Sequence, residues 1–579
     1  MFTLSRTILV AMFLLNAVVA SYAQAAPKQA AETGAISGRV VGSGDDAPPL
    51  AGVGILLMPS EYTRYARTPA ARATTDADGF YRLANVPAGS YRLQLIAPGY
   101  TGASEFPTLR PGEARAINIE AGETIEHQDF VLARGGVITG RVTDADGKPV
   151  VGESLRLAPP DSGQRPGFAN VGAAYGFETD DRGIYRIYGL PAGRYVVCVG
   201  EGKDNGAVRV ALSGRNRPHT CHPNATEAAQ AKIIEVSSGS EATGVDITLA
   251  PPLKTYEASG RIIDAQTGQP VANLSYGFGV VSPDGRHIGS RGWSSAKTNA
   301  EGEFRLGNLL PGRYAAFVLS REGDASNYYS DALPFEIDEA NLSGLVVKAR
   351  RGATLRGAVS VEGATNPAVL AKLAQVDLQI RVVPSNLKPG DLQVGNSSRL
   401  VLQPNGSFFV AGLPPGRAQV SLTTFSSPRG FTLLGVERAA SEQRDGIEIG
   451  EGEQVSDVRV RLAYGTTVVR GQVEVRRDGQ PAQLPPGAQL QVTIRRTDGR
   501  RSGWDNVSAE VDNRGRFTVG GLIAGEYELI GLGWIRPSAA APQGSALPGF
   551  RQIVSVPEKG EINVTMVYDL NAKPAAVAH

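Results

Sequence analysis

The sequence predicts an all-β chain of five tandem β-sandwich domains behind a removable leader. Three observations carry this. The chain has 579 residues, more than one hydrophobic core organises, because domains usually run to ~100–150 residues. It holds 70 Gly and 37 Pro against four Met, a composition of short strands and many turns. One block of residues recurs five times.

The block is anchored on Gly79, Gly183, Gly302, Gly406 and Gly515, which lie 104, 119, 104 and 109 residues apart. Two positions on stands an aromatic: Tyr81, Tyr185, Phe304, Phe408 or Phe517. Four and seven positions on are apolar side chains, Leu83 and Val86 in the first copy and Val519 and Leu522 in the last. A second glycine follows at the tenth position (Gly89, Gly193, Gly312, Gly416, Gly525). A tyrosine stands at the twelfth (Tyr91, Tyr195, Tyr314, Tyr527), with Ala418 the exception. Alternating side chains place the aromatic and the aliphatic on one buried face and Arg82, Arg186 and Arg305 in solvent. Turns such as Asp76-Ala77-Asp78-Gly79 precede the strand, where Asp bonds its own backbone and Gly accepts φ > 0.

Each copy opens with a Gly-centred strand, Ile36–Val40, Ile138–Val142, Ala258–Ile262, Leu355–Val359 or Val469–Val473, and closes with another alternating strand, such as Val458–Leu462. A glycine inside a strand marks a bulge or a close backbone approach. The expected domains are 34–134, 135–253, 254–351, 352–465 and 466–570, after a leader (1–25) and a linker (26–33) and before a tail (571–579). Short linkers such as Ala250 to Thr255 predict a row, straight or bent. Helix is expected only at Pro367–Gln375 and Glu227–Lys232.

The leader reads as a signal peptide. Arg6 precedes thirteen residues, Ile8 to Ala20, broken only by Asn16, and Ala23-Gln24-Ala25 is an A-x-A cleavage site. Removing it leaves 57 basic (58 less Arg6) and 57 acidic residues. That balance, with no long basic run, argues against a nucleic-acid partner. No later segment has the ~18 apolar residues of a spanning helix. The expected location is periplasmic, secreted or cell-surface.

The opening Gly-Arg strand, the Asp-x-x-Gly-x-aromatic turn and the Leu-Pro-x-Gly-x-Tyr strand resemble the carboxypeptidase regulatory-like domain, most clearly in the first three copies. The fold is similar to that of collagen-adhesin B-type modules. The resemblance implies transthyretin-like, Greek-key sandwiches of seven or eight strands and no reaction of their own. Adhesin-like relatives carry a Lys–Asn isopeptide bond. The opening strands here offer Arg or Gln instead, and only the fifth closing strand has an Asn, Asn563.

No catalytic chemistry is expected. None of the five His begins an H-x-x-E or H-E-x-x-H motif, and no nucleophile elbow, phosphate loop or dinucleotide fingerprint occurs. His219-Thr220-Cys221-His222 has metal-ligand residue types but lacks the spaced second pair of structural zinc sites. The Asp-rich turns are explained by turn chemistry without calcium. The reading is therefore no enzyme, no cofactor and no metal. Cys198 and Cys221, the only cysteines, are expected to form a disulfide in an oxidising compartment, with free thiols or a metal held by Cys221, His219 and His222 as rivals. Three roles compete. The first is a structural or interaction protein with an envelope partner. The second is a glycan binder stacking sugars on Trp293, Trp504, Trp534, Tyr328 and Tyr329, which could equally cap the cores. The third is an accessory array for an envelope transporter or peptidase.

Overall fold

A computed structural model describes residues 33–572 except 61–67, 102–114, 159, 161–176, 201–202, 205–206, 209–217, 228–229, 283, 320–326, 365, 386–391, 393–396, 425, 486–487, 498–506 and 536–544. The leader and Trp504 lie outside the described residues. The chain is nearly all β: described α-helix is confined to Pro367–Lys372, capped by Asn366 and continued by a 3₁₀ turn, Leu373–Gln375. The second helix candidate, Glu227–Lys232, lies partly outside the described residues.

Each repeat folds as two sheets enclosing its own apolar cluster. In one sheet the opening strand lies centrally. The strand after the anchor glycine (Phe80–Val86, Ile184–Leu190, Glu303–Leu309, Ser407–Leu413, Arg516–Leu522) pairs with it antiparallel. The closing strand pairs on its other side, parallel. The second sheet is built around the tyrosine strand, as in the order Ile288–Lys297, Ser275–Val281, Gly312–Val318, Leu333–Ile337 of the third repeat. Repeats 1 and 3 have eight described strands, and the others add two-residue strands such as Ser441–Glu442 and Gln480–Pro481.

The register explains the recurrent residues. The opening glycine always lies opposite the aromatic: Gly38 with Tyr81, Gly140 with Tyr185, Gly260 with Phe304, Gly357 with Phe408 and Gly471 with Phe517. A Cβ on Gly140 would sit 2.0 Å from the Val245 carbonyl, and one on Gly260 2.0 Å from that of Leu345, so the closing segment approaches too tightly for a side chain. The ring then fills the space above the glycine. The hydroxyls of Tyr81 and Tyr185 donate to the carbonyls of Gln128 and Val245. The twelfth-position tyrosines turn back on the preceding connection, each donating to the carbonyl four residues earlier: Tyr91 to Pro87, Tyr195 to Pro191, Tyr314 to Leu310 and Tyr527 to Ile523.

All five copies also share a bulge at the sixth position, where the backbone is left-handed: Asn85, Gly189, Asn308, Gly412 and Gly521. Glycine stands there where the preceding repeat packs on the bulge. Gly189 faces the Tyr100 carbonyl, Gly412 donates to Asn327 Oδ1, and a Cβ on Gly521 would meet Gly430 at 2.6 Å. Asn, the non-glycine residue most tolerant of this conformation, serves in the first repeat and in the third.

The row of repeats bends until its ends meet. The edge strand Arg115–Ile119 and the strand Gly89–Ile96 of repeat 1 rest on the anchor turn and neighbouring strands of repeat 5.

Candidate functional site

The repeated turns spend their polar groups on the fold. Asp76 Oδ1 accepts from the amides of Asp78 and Phe80, and Asp144 Oδ1 from those of Asp146 and Lys148. Asp180, Asn299 and Asp512 bond their own turns alike. In the fourth repeat Gln403 replaces the Asp and Asn405 bonds the Ser407 amide instead. The residue after the opening glycine reaches the same turn: Arg39 Nε donates to the Asp78 carbonyl, Arg141 Nε to that of Arg182, and Gln472 Nε2 to that of Arg514.

In repeat 2, Cys198 and Cys221 stand directly opposite on Gly193–Val199 and Thr220–Cys221, with Sγ atoms 2.05 Å apart. With Val196 they form a small cluster outside the main core of the repeat. His219 Nε2 lies 3.3 Å from the Cys221 sulfur, and burial, then the charge of Arg156, hold its pKa below the usual histidine value. Among the described residues this is the one group of three soft ligands, and the disulfide occupies both sulfurs. His222 turns away and bonds the Asp246 carbonyl.

Of the aromatic candidates, Tyr328 and Tyr329 lie in repeat 3 and Trp534 in repeat 5. Tyr329 is buried at 8% exposure. Tyr328 donates to Asp264 Oδ2 and lies under the Arg351 guanidinium, 4.5 Å from the ring centre. Tyr328 stands opposite Arg351 and Tyr329 opposite Arg350 on the closing strand of repeat 3. Trp293 stands on Ile288–Lys297 opposite Gly277, and Trp534, half-buried, lies near the end of Gly525–Ile535.

The densest polar site is one that sequence reasoning missed, the joint of repeats 1 and 5. At Asn118 the outward backbone of an edge strand is capped by side chains. Its amide donates to Asp512 Oδ2 at 3.2 Å, and Arg514 Nη2 donates to its carbonyl at 2.5 Å. Asn118 Nδ2 adds a bond to the Arg516 carbonyl. Arg514 and Arg516 both reach Glu123 Oε1, at 2.7 and 3.0 Å, and Arg516 also faces Glu120. On the flank, Arg92 grips Glu510 with Nε and Nη2. Burial opposes the charge on Glu123, but the Glu120 amide and the two arginines outweigh it and hold the carboxyl below its ordinary pKa. Beside the joint runs a polar cleft of about 190 Å³, lined by Asn118, Glu120, Arg470, Arg516, Asn563 and Thr565. Asp512 belongs to the repeated turn, but Asn118, Glu120, Glu123, Arg514 and Arg516 carry no periodic signal. Arg514-Gly515-Arg516 and Glu120-Ala121-Gly122-Glu123 are visible as charge pairs, but nothing in the sequence matches them.

Residues 35–132 match the family model of the carboxypeptidase regulatory-like domain, the family that the repeated motifs resemble. No curated protein matches the chain. Among solved structures it is similar to the Streptococcal ancillary pilin, at 12% identity over 55% of this chain and 99% of that one, with a TM-score of 0.23. It is similar too to the Bacillus anthracis TIE protein, at 13% identity over 74% and 72% of the two chains (TM-score 0.15). A third is BcpA, the major pilin subunit of Bacillus cereus, at 11% identity over 55% and 100% (TM-score 0.14). No described helix is long and apolar enough to cross a membrane.

Proposed function

We propose that the mature chain is a secreted or periplasmic, non-catalytic structural or interaction protein built from five sandwich domains of the carboxypeptidase regulatory-like type. One observation carries the reading: the polar residues that recur in the block are consumed by the fold. The Asp carboxylates close turns, the Tyr hydroxyls bond carbonyls, and the opening-strand Arg or Gln tie strand to turn. Such groups are not free to act on a substrate. The leader, residues 1–25, supports export.

Incubating the mature chain with panels of peptides, esters and glycans, with and without added zinc, tests the reading. No turnover is expected, and zinc-dependent hydrolysis would overturn it. A second reading, glycan binding, rests on the half-buried Trp534 together with Trp293 and Trp504. A glycan array that responds to the native chain but not to Trp534→Ala would promote it.

A further inference from the structure

We propose that the joint between repeats 1 and 5 is exchangeable: it closes one chain on itself, and it also joins repeat 1 of one copy to repeat 5 of a second copy. Nothing covalent holds the two halves near each other, since Asn118 and Asp512 are 394 residues apart in the chain. The described contacts across the joint are hydrogen bonds and ion pairs, the chemistry of contacts that form and part reversibly.

The half on repeat 1 is an open sheet edge. Its free amide and carbonyl at Asn118 are met by a carboxylate and a guanidinium rather than by another strand. When the joint parts, that edge is bare, and bare edges recruit other chains. The charges decide which surface can take the place. Repeat 1 offers Glu120 and Glu123, whereas repeat 5 offers Arg514 and Arg516. Arg92 on repeat 1 meets Glu510 on repeat 5 in the opposite sense, so each charged group of one half finds its partner on the other half and a repeat 5 fits a repeat 1. Pairing is therefore heterologous. Two copies that exchange both joints close as a swapped dimer, and further copies extend a chain. The tether through the three middle repeats makes self-closure intramolecular and so independent of protein concentration, and the dilute protein is monomeric and closed.

Two charge-reversed mature chains test this, R514E/R516E and E120R/E123R. All four positions lie on the surface of their sandwiches, and the unchanged melting of each chain checks folding. Alone, each variant should remain monomeric but show a larger radius of gyration by small-angle scattering than wild type. Wild type should expand likewise in about 1 M NaCl, where screening falls to about 3 Å. In an equimolar mixture every joint between unlike chains is complementary again. Light scattering should then report a species of twice the monomer mass, formed by the mixture and by neither variant alone. Unchanged radii in both variants and in salt would refute the closure. A mixture that stays monomeric at high concentration would refute exchange between copies.

Discussion

Gly140 and Tyr185 face each other across adjacent antiparallel strands, and each accounts for the other. The closing segment runs so near the opening strand that only a glycine fits, and the tyrosine ring covers the gap while its hydroxyl bonds the Val245 carbonyl. Tyr185 is 1% exposed, and burial, then the charge of Asp246, raises its pKa well above the usual tyrosine value. Tyr185→Ala should destabilise repeat 2 by roughly 3–5 kcal/mol. Tyr185→Phe, which removes only the hydroxyl, should cost about 1–3 kcal/mol by leaving a buried carbonyl unmet. Gly140→Ala should cost about 1–3 kcal/mol through overpacking. Arg186→Ala, at an exposed ion pair with Glu241, should cost at most about 1 kcal/mol. Chemical denaturation of the isolated second repeat against the full chain gives the ranking.

The disulfide has a direct readout. Intact mass of the non-reduced, exported chain after alkylation should show no modified cysteine, and reduction should expose two. Reduction should lower the stability of repeat 2 by about 3 kcal/mol, the chain-entropy value for a loop whose ends are 23 residues apart. The transitions of the other repeats should stay in place.

Acid should open the joint of repeats 1 and 5. The pKa of Glu123 is lowered in the closed form, so its contribution is complete above the ordinary glutamate value of about 4.3 and is lost as pH falls through the lowered one. Glu123 holds both Arg514 and Arg516 across the joint, and neutralising it removes that shared partner. Scattering in low salt should show a radius of gyration constant from neutral pH to about 5 and rising below about 4.

Export should remove the leader. N-terminal sequencing of the chain recovered from the periplasm or medium should begin at Ala26, and replacing Ala23 and Ala25 with bulky residues should leave the uncleaved form in the membrane fraction.

Much of the sandwich was legible because buried faces impose a period. Tyr81, Leu83 and Val86 lie inside as their spacing requires, and Arg82 outside. The bulge was legible in principle, since Asn and Gly alternate at a single position of the block, but two residue types at one site make a weaker pattern than a repeated glycine. The parallel pairing of the closing strand was not readable, because alternation fixes a face and not a neighbour. Tyr328 and Tyr329 look like surface aromatics until their partners Asp264, Arg350 and Arg351 are seen to come from distant segments. The joint at Asn118 was the least legible. Contacts between repeats follow from the angles at each junction, and charge pairs hundreds of residues apart leave no spacing to read.

The parallel pairing bears on mechanics. The first and last strands of each repeat are neighbours running the same way, so tension applied at the two termini of a repeat drags them past each other lengthwise. Their hydrogen bonds are then loaded together in shear rather than parted one at a time. The paired length grows along the chain: two short runs in the first two repeats, six positions in the third, eight in the fourth and nine in the fifth. Under load the first two repeats should therefore yield early and lengthen the chain, while the last two act as its strongest clamps.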